Sequence, residues 1–170
     1  MFQIGDVVIH PGYGAGEVKD IGKLMCLGMN KRYYEIELLS DPDTLVWVSV
    51  PDAKEAGVRY PVSESKLRQI WRVLSTKPEL LPKDYKERYE LVKHKFYSRD
   101  VLQIAEALRD LAWRRSRKGH LTQRGQRLYE KAIKWLASEM AVIQDKAPSA
   151  TQAQISQRLN ASFASLEEEL

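Results

Sequence analysis

The first fifty residues show the alternation of apolar and polar positions that is typical of short β-strands. Four segments are rich in Val, Ile, Tyr and Trp and are separated by turn residues. They are GDVVIHP (residues 5–11), GEVKDI (16–21), RYYEIELL (32–39) and TLVWVSV (44–50). Residues 11–16 contain three glycines and predict a tight turn after the first strand, and residues 41–43 predict the turn before the last. We therefore expect a small SH3-like barrel of four to five strands.

After Pro61 the spacing of apolar residues changes to about 3.6, which is the period of an amphipathic helix. Ser63 is the predicted cap of a first helix, which ends before Pro78. A second helix opens at Asp84 or at the turn formed by Pro82. The chain thus passes from strands to helices near residue 61.

Three further helices are predicted in the remaining sequence. Ser98 is expected to cap a third helix that closes near Gly119, where a left-handed backbone carries no Cβ strain. Thr122 is the predicted cap of the longest helix, which ends at Pro148. A weaker amphipathic segment begins at Ser149 or Thr151. Together these patterns predict an α+β fold with two domains, a small SH3/Tudor-like β-barrel at residues 1–60 and a compact all-α bundle at residues 61–170.

The charge of the chain is divided unevenly along its length. Residues 1–62 hold 6 Lys and Arg against 9 Asp and Glu, a net charge of −3. Residues 63–147 hold 20 against 11, a net charge of +9, and the segment from Pro148 onward has a net charge of −2. A basic block of this size on a folded domain is typical of a surface that binds a polyanion. The alternative is that these side chains only solvate helix surfaces.

The sequence contains little that would support catalysis. No catalytic triad, HExxH or Walker motif occurs, and the glycine-rich turn is followed by a strand rather than by the helix that a phosphate cradle needs. One cysteine, Cys26, and three scattered histidines do not form a zinc-binding pattern, and Cys26 is most simply a small buried or interface side chain. We expect no enzyme, no cofactor and no small-molecule substrate. Without a signal peptide or membrane span, the expected location is the cytoplasm, in association with the nucleoid.

Two basic clusters are the candidate binding residues. In the first, cations alternate with Tyr85, Tyr89, Phe96 and Tyr97, and in the second they form the end of a helix. The cations are Lys83, Lys86, Arg88, Lys93 and Lys95, then Arg114, Arg115, Arg117 and Lys118. Cations bind phosphates, and a planar ring can stack on a base or insert into a groove. Cations at a helix C-terminus also complement the macrodipole, so the second cluster has a structural alternative.

Three motifs in this order resemble the CarD/CdnL family of bacterial transcription regulators. They are GDVVIHPGYGAGEV (residues 5–18), VPDA with GVR (50–53 and 57–59), and WRR with HLT (113–115 and 120–122). The resemblance spans roughly residues 4–143. It implies that the β domain binds the β subunit of RNA polymerase. It also implies that the helical domain contacts promoter DNA, largely independently of sequence, at the upstream edge of the melted bubble and stabilises the open complex.

The resemblance also assigns candidate residues. Tyr85 stands where the family has a Trp that wedges into the minor groove, within PKDYKERY (residues 82–89). Two family arginines that face the polymerase align with Leu24 and Ser49, so that contact is expected to be more apolar here. The candidate polymerase-binding residues are Leu24, Met25, Trp47 and Ser49. The candidate DNA-binding residues are Tyr85, Lys83, Lys86, Arg88, Lys93, Arg114, Arg115, Arg117 and Lys118.

Alternatives remain at three points. The apolar segment at residues 24–29 is consistent with an altered partner surface or with packing between the domains. Tyr85 could pack against a neighbouring helix instead of projecting outward. A different functional class, an RNA- or ribosome-binding module of the KOW type with a helical extension, would use the same exposed basic surface.

Overall fold

A computed structural model describes residues 1–23 and 31–168 of the chain, with side chains up to residue 166. Its N-terminal part forms one antiparallel sheet in the order β1-β2-β3-β4. The strands are β1 (Val7–His10), β2 (Gly14–Lys23), β3 (Arg32–Leu38) and β4 (Asp41–Ser49). Ile9 also pairs with Arg59 in an isolated antiparallel bridge, which brings the segment after β4 back beside β1. The sheet is thereby curled around its own apolar core, which includes Val18, Tyr34, Ile36 and Val48.

The turn before β4 lies earlier than the sequence analysis placed it. Residues 39–40 form the turn, and residues 41–43, predicted as the turn, already belong to β4. Pro42 is compatible with a strand here because, among the described strands, β4 pairs with β3 alone and is an edge strand, where a missing N–H is tolerated. The turn at residues 11–13 lies where the glycine-rich stretch predicted it.

Five helices follow within the described residues. They are α1 (Glu64–Ser75), α2 (Tyr85–Tyr97), α3 (Val101–Lys118), α4 (Gln123–Gln144) and α5 (Pro148–Glu168). The caps predicted from the sequence are present at three starts, where Ser63, Asp84 and Thr122 accept backbone N–H groups of the first turn. Gly119 ends α3 in the left-handed conformation with φ of 77°. The predicted α+β fold class is confirmed.

Two helix starts differ from the prediction. Asp100, not Ser98, caps α3, since the Asp100 side chain accepts the N–H of Leu102. Ser98 instead closes α2, where its hydroxyl donates to the carbonyl of Lys95. Helix α5 begins at Pro148 itself rather than at Ser149 or Thr151. Proline suits a first helical position because that position has no intrahelical use for an N–H.

The sheet and the helices meet at a junction between β2 and α4. Ile9 and Ala15 of the sheet are buried in the same apolar cluster as the cores of α3 and α4. The backbone N–H of Ala15 donates to Ser138 Oγ (2.9 Å), and Trp135 Nε1 donates to the carbonyl of His10 (3.0 Å). The junction is therefore closely packed, and the division into domains at residues 60 and 61 remains a prediction about independent folding.

An ion pair completes this junction. Glu139 of α4 is fully buried, and its carboxylate accepts from both terminal nitrogens of Arg59, at 2.6 and 3.0 Å. The backbone N–H of Val62 donates to the same carboxylate at 3.0 Å. Three charge-assisted hydrogen bonds thus join α4 to the segment that leads from the sheet into α1. No helix among the described residues is long and apolar enough to span a bilayer.

Candidate functional site

Tyr85 is the first residue of α2 and projects from the helix start. The carboxylate of Asp84 caps this helix by accepting from the N–H groups of Lys86 and Glu87. The Tyr85 side chain is 53% exposed, and the ammonium of Lys86 lies 5.9 Å from its ring centre. The packing alternative for Tyr85 is therefore not realised in this structure. The capped helix start fixes the backbone that carries the ring, and about half of the side chain remains exposed.

A groove of about 570 Å³ separates the start of α2 from the start of α4. Tyr85 and Tyr89 line it from α2, and Arg124 lines it from α4. The Tyr89 ring has Arg124 5.5 Å and Lys93 5.8 Å from its centre, which keeps two cations beside an aromatic surface. The sequence analysis missed Arg124. One signal was available, because a cation in the first turn of a helix opposes the macrodipole and so does not serve to stabilise that helix end.

Arg88 has a structural role in this arrangement. Its side chain is buried, and one terminal nitrogen donates to the carbonyls of Pro82 (2.8 Å) and Lys83 (2.9 Å). Burial lowers the pKa of Arg88, and the charge of Arg114 lowers it further. The guanidinium is thus committed to the turn that precedes α2. This corrects the expectation that Arg88 is presented to DNA, whereas Lys83 and Lys86 beside it are exposed.

A buried charge network on α3 anchors the segment before Tyr85. Asp110 of α3 accepts the backbone N–H of Glu79 at 3.0 Å and pairs with Arg109 at 2.8 Å. Lys95 of α2 lies within 4 Å of three carboxylates, those of Glu79, Glu106 and Asp110. Burial raises the pKa of Asp110. These contacts hold the connection between α1 and α2 against α3. They thereby fix the position of the segment that leads to Tyr85.

The side chains of the second basic cluster lie in two different places. Arg115 packs on Tyr129, with its guanidinium 4.1 Å from the ring centre and a 3.0 Å hydrogen bond to the hydroxyl. Arg114, Arg117 and Lys118 line a cleft of about 530 Å³ beside the segment that follows α1. The structure therefore brings three of the four cations together and directs Arg115 toward α4.

The exposed side of β4 is the candidate surface on the sheet. Trp47 and Leu45 are each 44% exposed, while Val46 and Val48, which alternate with them along the strand, are buried in the core of the sheet. Ser49 is half-buried, and among the described residues its Oγ has no hydrogen-bond partner. Leu24 and Met25, like Cys26, lie outside the described residues. Among the described strands β4 pairs with β3 alone, so the sheet presents an aromatic side chain on an edge strand.

The described part of the chain contains no candidate metal site. Within residues 1–23 and 31–168, no three His, Cys, Asp or Glu side chains are placed to hold a metal ion. The geometry instead offers exposed cations beside aromatic rings on the helices and an apolar edge on the sheet.

Comparison with known proteins gives matches along most of the chain. The family model described as the C-terminal domain of CarD matches residues 69–158, and that of the CarD-like/TRCF RID domain matches residues 2–72. A Bacillus subtilis (strain 168) protein named "Putative transcription factor YdeB" is similar to this chain. The two are 29% identical over 147 residues, which are 84% of this chain and 92% of that protein.

Proposed function

The chain belongs to the CarD family of transcription regulators, and from that premise we propose that it docks on the β subunit of RNA polymerase and holds promoter DNA open at the upstream edge of the bubble. The family is one of transcription factors and not a class of enzymes. The observation that carries the proposal is Tyr85, an exposed ring at a capped helix start between Lys83 and Lys86. Such a protein works in the cytoplasm, where polymerase and the nucleoid are.

Docking is assigned to the exposed side of β4. Domains of the RID type bind RNA polymerase, and the surface of this sheet that suits a protein partner is the edge strand with Trp47 and Leu45. Exposed aromatic side chains of this kind often dominate the binding energy of an interface. Leu24, Met25 and Ser49 are part of the same proposal. Leu24 and Ser49 rest on the resemblance to the family, and Met25 rests on its place in the apolar segment at residues 24–29.

We expect Trp47→Ala to weaken binding of the full-length protein to a purified β-subunit fragment by at least about tenfold, as is common for a Trp at an interface centre. The melting temperature should change little, since the ring lies outside the core. Titration by calorimetry or by fluorescence anisotropy measures the affinity. Tyr13→Ala, which removes another exposed ring from the turn between β1 and β2, is the matched control. Equal affinities for the wild type and Trp47→Ala would place docking elsewhere.

DNA binding is assigned to the helices. The net charge of +9 on residues 63–147 supplies a sequence-independent attraction for phosphates. Of the cations proposed from the sequence, Lys83, Lys86, Arg114, Arg117 and Lys118 are on accessible surfaces, Lys93 stands beside Tyr89, and Arg124 joins them. Tethering to polymerase raises the effective concentration of this weak contact, so base-specific recognition is not required.

Tyr85→Ala is expected to shorten the lifetime of the open complex by about tenfold, in line with the 1–3 kcal/mol typical of stacking between a base and an aromatic ring. Tyr85→Trp should lengthen it, because the larger ring stacks over more area. Both variants should keep the wild-type melting temperature, since the side chain is half exposed. Competitor challenge of preformed complexes on one promoter measures the lifetime.

The control for Tyr85 is Tyr97→Ala, which removes a tyrosine of the same exposure, 52%, from the other end of the same helix. A wild-type lifetime with Tyr85→Ala, or a destabilised protein, would remove the wedge role from this residue. In the RNA-binding alternative, the partner of the basic surface is RNA and not promoter DNA. This alternative predicts tight binding to structured RNA and no effect of the protein on open complexes.

A further inference from the structure

The outer face of the sheet carries carboxylates beside the exposed side chains of β4. The strand register places Glu35 of β3 directly opposite Trp47, and Glu37 directly opposite Leu45. Directly opposite residues on neighbouring strands lie on the same face of a sheet, close enough to interact. We call the surface formed by these side chains and their partners on β2 the acidic face, which consists of Glu17, Asp20, Glu35, Glu37, Leu45 and Trp47.

Two pairs of like charges lie next to each other on the acidic face. Glu17 is opposite Glu37, and Asp20 is opposite Glu35. Like charges in such positions destabilise a sheet. One pair is compensated, because Lys19 Nζ lies 3.0 Å from a carboxylate oxygen of Glu17 and 3.5 Å from one of Glu37. The repulsion between Glu17 and Glu37 is therefore offset within the protein itself.

The pair formed by Asp20 and Glu35 has no such cation. Among the described side chains, no Lys, Arg or His nitrogen lies within 4.0 Å of either carboxylate. Asp20 accepts the backbone N–H of Ile21 at 2.8 Å, and Glu35 is half-buried between the strand partners Asp20 and Trp47. The sheet thus gives up stability at the position that borders its exposed indole ring. Such a cost is common where a surface serves a function.

The charge of the acidic face restricts the kind of partner that fits it. Four carboxylates face one described ammonium, that of Lys19, so the net charge is −3. A surface of this sign repels the phosphates of nucleic acid, and it attracts and orients a protein surface that carries Lys and Arg. Trp47 and Leu45 add an apolar contact at the border of the charge. The complementary partner is a basic protein surface with a recess for an indole.

We propose that the acidic face docks on such a basic protein surface, with Trp47 in the recess and Glu35 paired with a Lys or Arg of the partner. The inference rests on the proposed function, because it names the charge of the surface on which β4 docks. In the complex, the partner's cation neutralises the pair of Asp20 and Glu35, which is uncompensated in the free protein. Docking thereby relieves a repulsion that the free sheet retains.

The test is the full-length variant Glu35→Lys, titrated with the same purified β-subunit fragment as Trp47→Ala. Its affinity should fall at least about tenfold at low salt, mainly through slower association, because charges beside an interface steer the encounter. Glu35→Gln should lose less, about threefold. The wild-type affinity should decrease as salt is added, since the Debye length falls from about 30 Å at 0.01 M to about 10 Å at 0.1 M.

The matched control is Glu55→Lys, which changes the net charge equally at an exposed position in the turn after β4. It should keep the wild-type affinity. An equal loss of affinity from this control would attribute the effect to net charge and would overturn the inference.

A second measurement separates docking from a structural role of Glu35. Without its charge the repulsion from Asp20 is removed, so Glu35→Gln should melt above the wild type by up to about 4 °C. A variant that binds more weakly and melts higher has lost a contact with the partner and not a contact within the sheet. If Glu35→Gln instead melts several degrees below the wild type, Glu35 stabilises the sheet and the inference is wrong.

The remaining outcomes distinguish the inference from the proposed function. If Trp47→Ala weakens binding but Glu35→Lys binds as tightly as the wild type or more tightly, the partner surface is not basic, and docking through β4 stands. If the wild type does not bind the fragment, docking fails and the inference falls with it. Sedimentation in the absence of the fragment tests a further occupant. Self-association of the wild type that Glu35→Lys abolishes would place the basic helices of a second copy on the acidic face and would overturn the inference.

Discussion

Replacing Arg59 with methionine is expected to lower the free energy of unfolding by about 3 kcal/mol, the lower end of the cost of removing one partner from a buried ion pair. In the wild type the Arg59 guanidinium donates to the Glu139 carboxylate at 2.6 and 3.0 Å. The substitution leaves this carboxylate buried without its cation. Val62 N–H remains as a donor, and the Arg59 side chain is 32% exposed, so water can replace part of the loss. This is the reason for choosing the lower figure.

Thermal unfolding measures this prediction. For a chain of this length, 3 kcal/mol corresponds to a fall in melting temperature of about 6–12 °C. Arg32→Met, at an exposed arginine of β3, is the control and should change the melting temperature little. The double variant Arg59→Met with Glu139→Met should recover part of the stability, because an apolar pair can replace a buried ion pair. A single variant that melts like the wild type would show that the pair does not join the sheet to α4 energetically.

Gly14→Ala is expected to cost about 3 kcal/mol or more, from a left-handed backbone and from an overlap with α4. Gly14 has φ of 86°, and a Cβ at this position would lie 2.5 Å from Ser138 Oγ and 2.6 Å from Trp135 Cδ1. The same two side chains bind the backbone of β1 and β2, so neither can move away without losing a hydrogen bond. The glycine therefore sets how closely α4 approaches the sheet.

Gly5→Ala provides an internal control for this experiment. Gly5 has nearly the same backbone angle, φ of 89°, but a Cβ there would meet nothing within 4 Å. Its substitution should cost only the backbone strain, about 1 kcal/mol. Chemical denaturation of both variants separates the two contributions. Equal losses would mean that contact between β2 and α4 is not limited by the size of residue 14.

The candidate site was predictable in its composition but not in its geometry. The cations and rings around Tyr85 are adjacent in sequence, and the family motif marks the same position. Whether each cation is available depends on its neighbours in space. Arg88 is bound to the carbonyls of the preceding turn, and Arg115 is stacked on Tyr129 of the next helix. Arg124 lines the groove beside Tyr85, and Lys77 lines the cleft at the end of α3. Both come from other elements and carry no motif.

The sequence by itself determined the strands, the helices, most of their boundaries and the separation of charge. These features depend on side chains within a few positions of one another, through the periods of strand and helix and through capping groups such as Asp84 and Thr122. The tertiary structure alone decided how the sheet and the helices are joined and which arginines face outward. Arg59 and Glu139 lie 80 residues apart, and Ala15 and Ser138 lie 123 apart. Neither contact has a local signature, because burial and pairing are set by whichever distant surfaces meet when the chain folds.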